Sequence, residues 1–260
     1  MNGLRMFLTT CVAMTLAACG GGGGGSTTSP PPPPPPPPPS DAVAGGHWFG
    51  TVTNEFSAVT EEYIAMVDEN GRFRLVSVDS AVQFSGNFLI TGNALAGDAM
   101  AFADAGVVWL DSNSATPATF AGTIVERNTM TGNWSMTDSA EFGTFEFFYD
   151  PTFYERAATL AMLAGLWTAY DELLNPVVTF TIAADGSFSG QNAQGCNSIG
   201  QFAVIDQGFN LYEVQSTISD CSIAGSYVGL AFLADLFVPN DALIFAIDNG
   251  SRAIALGFEK

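Results

Sequence analysis

The chain is short of base. Seven Lys and Arg stand against 26 Asp and Glu, for a formal charge of −19 over 260 residues. A field of that sign repels nucleic acid and anionic lipid, so no nucleic-acid partner is expected. Histidine is almost missing too, with His47 as its one occurrence. A Ser-His-Asp or Cys-His catalytic set would need that residue. The sequence has no Gly-x-Ser-x-Gly, no His-x-x-x-His pair and no Asp-x-Asp-x-Asp-Gly loop. Its six-glycine run has no strand or helix around it to cradle a phosphate. These absences predict a chain that is not an enzyme and carries no metal or cofactor. The acid pairs Glu61-Glu62 and Asp171-Glu172 are expected to be exposed strand or loop residues. Neighbours on a strand point to opposite faces and do not converge. Long apolar runs are lacking as well. Met6 to Ala18 is interrupted by Thr9, Thr10, Cys11 and Thr15. It is too short for a bilayer core of about 30 Å, which takes roughly 20 residues.

What the N-terminus does have is a secretory pattern. Arg5 is the sole charge in residues 1–18, a short apolar core follows, and small residues close it. Leu16-Ala17-Ala18-Cys19 resembles the lipobox of bacterial lipoproteins at all four positions. The resemblance implies cleavage before Cys19, diacylation of its thiol and acylation of the new amino group. One acyl chain holds marginally at about 0.8 kcal/mol per buried CH₂, and two or more hold stably. Gly20 stands where an Asp would suggest inner-membrane retention, so the resemblance points to the outer membrane. Loss of the leader removes Arg5, and the mature charge becomes −20.

Residues 19–40 read as a tether. Six glycines, Gly20 to Gly25, give a flexible coil, and ten prolines, Pro30 to Pro39, a stiff rod. At about 3.1 Å per residue the proline run spans roughly 30 Å. It would hold a folded body away from the lipid surface.

The body, from about Asp41 to Lys260, is rich in Phe, β-branched residues and glycine. Alternating runs such as Arg72 to Val78 and Thr179 to Ile182 are separated by turn signals, among them Glu69-Asn70-Gly71 and Asp248-Asn249-Gly250. The fold class expected is mainly β: two tandem antiparallel barrel or sandwich units with one short connecting helix. The doubling rests on ordered landmarks. Gly46-His47-Trp48 matches Gly165-Leu166-Trp167, Asn70-Gly71 matches Asp185-Gly186, and Ser85 to Phe88 matches Ile199 to Phe202. Gly122 and Gly143 match Gly229 and Gly250, with Phe145, Phe147 and Tyr149 against Arg252, Ile254 and Leu256. The first copy occupies 41–151 and the second 164–260. Between them a helix is expected over 152–163, capped by Asp150 with Pro151 at its first position and Gly165 at its end. Ala157, Leu160, Ala161 and Ala164 form its apolar face. Tyr227 to Phe237 has helix-like spacing, but its partner Phe120 to Val125 is strand-like, so Tyr227 to Leu233 is expected as a strand.

Cys11 leaves with the leader and Cys19 carries lipid, which leaves Cys196 and Cys221. In an oxidising compartment this pair is expected as a disulfide, worth roughly 3.5 kcal/mol on the chain-entropy estimate. Gly195-Cys196-Asn197, Gly200, Thr217 and Cys221 resemble META-type bacterial envelope domains, although the first copy lacks both cysteines. The opening Gly-x-Trp of each copy resembles lipocalin-like barrels. The whole layout resembles proteobacterial outer-membrane lipoproteins with a Gly/Pro tether and two β repeats. Those resemblances imply a β-barrel envelope protein and no reaction. Four tryptophans, Trp48, Trp109, Trp134 and Trp167, could line a pocket. Trp48 and Trp167, equivalent by repeat, are the candidate core or pocket aromatics.

The expected function is a non-catalytic, lipid-anchored outer-membrane lipoprotein. It would be monomeric, facing the periplasm or the cell surface, and would present its β body to a protein or glycan partner. A carrier of small apolar ligands, of lipocalin type, and a structural or stress-related envelope protein of META type are the alternatives.

Overall fold

Period-two burial runs through the strands: in Ala115–Val125 the inward residues Thr116, Ala118 and Phe120 alternate with exposed neighbours. The computed structural model describes residues 40–171 and 173–260. The expected leader, the lipobox Leu16 to Cys19, and the Gly/Pro run to Pro39 lie outside the described residues. Eight strands make the first unit: β1 (Gly46–Asn54), β2 (Val59–Val67), β3 (Arg72–Ser77), β4 (Gln83–Thr91), β5 (Ala94–Phe102), β6 (Ala115–Val125), β7 (Thr129–Met136) and β8 (Phe142–Tyr149). Eight more make the second: β9 (Gly165–Tyr170), β10 (Pro176–Ile182), β11 (Ser187–Asn192), β12 (Asn197–Val204), β13 (Tyr212–Ser219), β14 (Gly225–Ala234), β15 (Ala242–Asp248) and β16 (Ala253–Glu259). Each strand pairs antiparallel with the next. β8 returns to β1 and β16 to β9, so both units are closed barrels. Closure removes every free edge, the main hazard of an all-β body.

An eight-stranded barrel is just wide enough to be filled by side chains, and these two are filled by aromatics. Phe73, Phe84, Phe88 and Phe120 pack inside the first, with Phe73 and Phe88 stacked at 4.0 Å. Phe180, Phe188, Phe202, Phe245 and Phe258 pack inside the second, with Phe180 and Phe258 stacked at 4.8 Å.

Ladder register shows how closely the copies agree. Trp48 pairs Ala65 and Trp167 pairs Phe180. Gly71 and Gly186 both have positive φ, +86° and +84°. Each carbonyl accepts from an amide inside the strand after next, Phe88 of β4 and Phe202 of β12. A Cβ at either glycine would strike the Phe88 or Phe202 carbonyl, so both turns need glycine. In the second half the glycine landmarks mislead. Following the pairs round each barrel sets Gly122 opposite Ala231 and Gly143 opposite Ile254, and sets Phe147 on Phe258. The expected matches to Gly229 and Gly250 are thus displaced by two and four residues. Gly143 sits in a strand, whereas Gly250, at φ +80°, makes the β15–β16 turn.

The connector also differs from expectation. Two four-residue helices replace the single one over 152–163: α1 (Pro151–Tyr154) and α2 (Leu160–Leu163). Asp150 caps α1 through the Thr152 amide, with Pro151 at the first turn. The backbone then leaves the helix because the β12–β13 loop takes its polar groups. Asn210 donates to the Tyr154 carbonyl at 2.9 Å, and Ala158 donates to the Gln207 carbonyl at 3.1 Å. Consequently Ala158 and Leu163 turn inward to close barrel two, while Ala157 and Ala161 are exposed. Gly165 opens β9 instead of ending a helix.

The barrels pack side by side through β3 against β14 and β15. Met66, Tyr154, Leu211, Leu230, Phe232 and Ala246 form an apolar cluster between them. Arg74 of β3 crosses the seam to Asp248 of β15 at 2.8 Å and donates to the Val228 carbonyl at 3.1 Å. Arg72 reaches Glu213 at 3.1 Å. Asn210 donates to the Phe153 and Leu233 carbonyls and accepts from Leu233. Buried amide bonds of this kind fix one relative position of the units.

Candidate functional site

Each barrel has one end sealed by a tryptophan, and only barrel one keeps a recess of more than about 50 Å³ at the other. At the sealed end, where β1 and β9 begin, Trp48 and Trp167 are fully buried. Each indole Nε1 donates to the carbonyl four residues earlier, Trp48 to Ala44 at 3.1 Å and Trp167 to Leu163 at 2.6 Å. The segment before the strand is thereby pinned across the barrel. The outer faces are covered in turn: Tyr149 meets Trp48 edge-on at 5.2 Å, and the Lys260 ammonium lies 5.1 Å from the Trp167 ring centre. Both tryptophans are core plugs and line no recess.

The opposite ends differ. In barrel one, inward positions near the ends of β1, β2, β4 and β7 line a recess of about 220 Å³. Its walls are Tyr63, Phe84, Trp134 and Val52, with Trp109 contributed by the β5–β6 loop and Glu61 at the side. Tyr63, Phe84 and Trp134 share one barrel face because strand side chains alternate. Phe84 stands edge-on to Trp134 at 5.5 Å, and Tyr63 lies 6.1 Å from Phe84. Trp109 is in a loop but is not loose. Its amide donates to the Asn113 carbonyl at 2.8 Å and its indole Nε1 to the Ala101 carbonyl at 3.3 Å. The buried Glu141 accepts from the next amide, Leu110, at 2.9 Å.

The polar groups here are largely committed. Trp134 Nε1 donates to the Thr53 carbonyl at 3.2 Å. Glu61 Oε2 accepts from Ser80 Oγ at 3.0 Å and from the Tyr63 hydroxyl at 3.4 Å. Burial, then the Glu61 charge, push the Tyr63 phenol well above its usual range, so it stays a neutral donor. Glu62, the other member of the acid pair, points outward and is exposed. Val59 of the recess wall is about half exposed, and Phe56, Val108 and Leu110, next in sequence to the lining residues Ser57 and Trp109, are each more than half exposed.

The same end of barrel two is nearly shut, with about 50 Å³ remaining. Ladder register places Val178 at the position of Tyr63, Ser198 at Phe84 and Ile247 at Trp134. The disulfide Cys196–Cys221, with Cα atoms 5.2 Å apart, ties the β11–β12 loop to the β13–β14 loop over this mouth. A larger concavity of about 670 Å³ crosses the outside of β10, β11 and β12. It is walled by backbone and short exposed side chains such as Thr181 and Ser189, and no group converges on it.

His47 belongs to neither mouth. It is fully buried at the seam between the barrels, 3.9 Å from the Phe232 ring centre and 5.8 Å from that of Tyr154. Neither ring nitrogen has a hydrogen-bond partner. Burial lowers its pKa from 6.5 to about 3, outweighing the Asn210 backbone, which favours the charged ring. Asp68 and Asp248, in the turn sequences, bind the amides of their own turns. Asp171 likewise accepts from the Leu173 and Asn175 amides.

The site residues Tyr63, Phe84 and Glu61 were legible only as strand residues. Trp134 carries a weak signal, since Met130, Trp134 and Met136 have the same parity on one strand. Trp109 lies in a twelve-residue loop between β5 and β6, where no periodicity marks it.

No protein-family model matches the chain, and no curated protein matches it. Among solved structures, it is similar to a "putative outer membrane protein" of Bacteroides fragilis. The two are 14% identical over 83% of this chain and 97% of that one, with a TM-score of 0.30. The barrel architecture therefore rests on the strand pairing described above.

Proposed function

We propose that the protein is a non-catalytic, lipid-anchored envelope protein whose tandem barrels present a binding surface to a protein or glycan partner. The observation that carries the binding part is the open mouth of barrel one. It is a preformed aromatic recess at the end of a barrel whose interior is otherwise filled by side chains. Exposed apolar patches rimmed by polar surface commonly mark interaction sites. The anchor rests on Leu16-Ala17-Ala18-Cys19 and the glycine and proline run that follows. Acylation of Cys19 would attach the chain to the outer membrane, and the proline rod would stand the body off it. The acidic surface would keep that body soluble and away from nucleic acid.

Two observations favour binding over catalysis and over transport. His47, the residue a nucleophilic triad would recruit, is enclosed between aromatic rings and out of reach of solvent. The barrel interiors are filled by Phe side chains, and 220 Å³ is below the roughly 300–1,000 Å³ of a pocket that encloses a drug-sized ligand. A lipocalin-type carrier of long apolar ligands has no room.

Protease shaving of intact cells tests this reading, with Cys19→Ala as the anchoring control. Loss of the body from wild-type cells without lysis supports a surface module. Protection until the outer membrane is opened would remove the cell-surface partner and leave a periplasmic one. Membrane fractionation of Cys19→Ala like that of wild type would overturn the anchor.

A further inference from the structure

We propose that the mouth of barrel one is a binding site for a small organic cation, a free alkylammonium solute such as a quaternary amine. This goes beyond the partner-binding reading, since the occupant is a free solute and not a protein or glycan.

The recess offers ring faces and an acceptor, and few donors. The indole N–H groups of Trp109 and Trp134 are spent on the carbonyls of Ala101 and Thr53. The Tyr63 hydroxyl and the Ser80 hydroxyl are spent on Glu61. What remains for a ligand is the half-buried ring of Trp109, the small parts of Tyr63, Phe84 and Trp134 that line the recess, and the carboxylate of Glu61. Among the described residues no basic side chain forms an ion pair with Glu61. Ring faces carry the negative end of the aromatic quadrupole and attract cations, most of all when the ammonium is weakly hydrated. A sugar would instead need donors and acceptors in comparable number. A volume of about 220 Å³ suits an ammonium head group and little more.

The internal duplication supplies a control. The fold does not require aromatics at this end, because barrel two closes on Val178, Ser198 and Ile247 at the matching places. Pro176 there pairs Tyr170 and so stands where barrel one has Glu62, and the register of β10 shifts between Pro176 and Val178. The small recess of barrel two is lined by Phe180 and Phe245 but by no Trp, Tyr or carboxylate, and its mouth is nearly shut. The recess is also preformed, since Glu141 and the Ala101 carbonyl hold the Trp109 loop in place. The excess of 26 acids over seven bases raises the local concentration of cations around it.

The test uses the purified full chain in a non-ionic detergent, titrated with choline chloride by calorimetry and tryptophan fluorescence. Sodium chloride at equal ionic strength and the neutral isostere 3,3-dimethylbutan-1-ol are the controls. Choline is expected to bind saturably, and the neutral alcohol about tenfold more weakly or worse, the ratio expected for removing a desolvated cation–π contact. Glu61→Gln and the loop variant Trp109→Ala are each expected to weaken choline binding several-fold, Glu61→Gln with thermal melting close to wild type and Trp109→Ala with the wild-type far-UV circular dichroism of a folded barrel. Equal binding of alcohol and choline would overturn the proposal, as would unchanged affinity in both folded variants. Flotation with phosphatidylcholine vesicles but no binding of free choline would also overturn it, placing a lipid surface at this mouth. None of these results bears on the anchor, which shaving tests separately.

Discussion

Arg74 Nη2 lies 2.8 Å from Asp248 Oδ2, and this ion pair joins β3 of one barrel to β15 of the other with both side chains almost fully buried. The guanidinium also donates to the carbonyls of Phe73 and Val228. Burial lowers the Arg74 pKa, and the Asp248 charge opposes that shift. Removing one partner leaves a buried charge without compensation. Asp248→Ala is therefore expected to destabilise the body by about 3–5 kcal/mol in urea unfolding. Arg74→Met combined with Asp248→Leu should lose much less, because both charges go together. Equal losses in the single and double variants would show that the seam is held by its apolar cluster alone.

The two tryptophan plugs make a second expectation. Trp48→Phe and Trp167→Phe keep a ring but leave the Ala44 or Leu163 carbonyl without its indole donor. Each should cost about 1–3 kcal/mol, the penalty for an unsatisfied buried group plus lost volume. Denaturant midpoints that shift in one variant and not in the other would break the equivalence of the two sealed ends.

These plugs show which parts of the fold could be read before the structure. Gly-x-Trp, and the turns at Gly71 and Gly186, have the same job in both copies, so sequence matching places them in true ladder register. The later strands are legible as strands, but their register is not. A long β5–β6 loop in one copy faces a short β13–β14 loop in the other, and Gly143 and Gly250 have different tasks. The break between α1 and α2 depends on the hydrogen bond that the Gln207 carbonyl accepts and the one that the Asn210 amide donates, some fifty residues away. The recess depends on Trp109, held by the distant Glu141. Composition and spacing carry no trace of such contacts, and the eye is drawn instead to Trp48 and Trp167, which close the opposite ends.

His47 gives a pH dependence with a definite sign. In the unfolded chain it takes a proton below about pH 6.5, whereas in the folded protein its pKa is about 3. The unfolded state therefore binds more protons between those values, and stability falls as pH drops through that window. Above pH 6.5 the residue contributes no slope. Its share of the loss between pH 7 and pH 4 should be about 3 kcal/mol. Urea titrations at both pH values should show a smaller difference in His47→Leu than in wild type. An identical difference would mean that His47 is solvated in the native protein.

The disulfide makes a local prediction. Cys196 and Cys221 close a mouth of barrel two alone, so the double change Cys196→Ala with Cys221→Ala should destabilise by about 3.5 kcal/mol. Fluorescence of the barrel-one recess, reported by Trp109 and Trp134, should be unchanged under native conditions. Altered emission would show that the seam transmits strain between barrels.

The anchored binding module is tested most directly by the N-terminal peptide of the mature protein. The protein is extracted from bacterial membranes, digested, and its first peptide analysed by mass spectrometry. The expected result is a peptide that begins at Cys19 with acyl chains on both the thiol and the amino group. A peptide that begins elsewhere, or an unmodified Cys19, would contradict the lipid anchor and with it the placement of these barrels at a membrane.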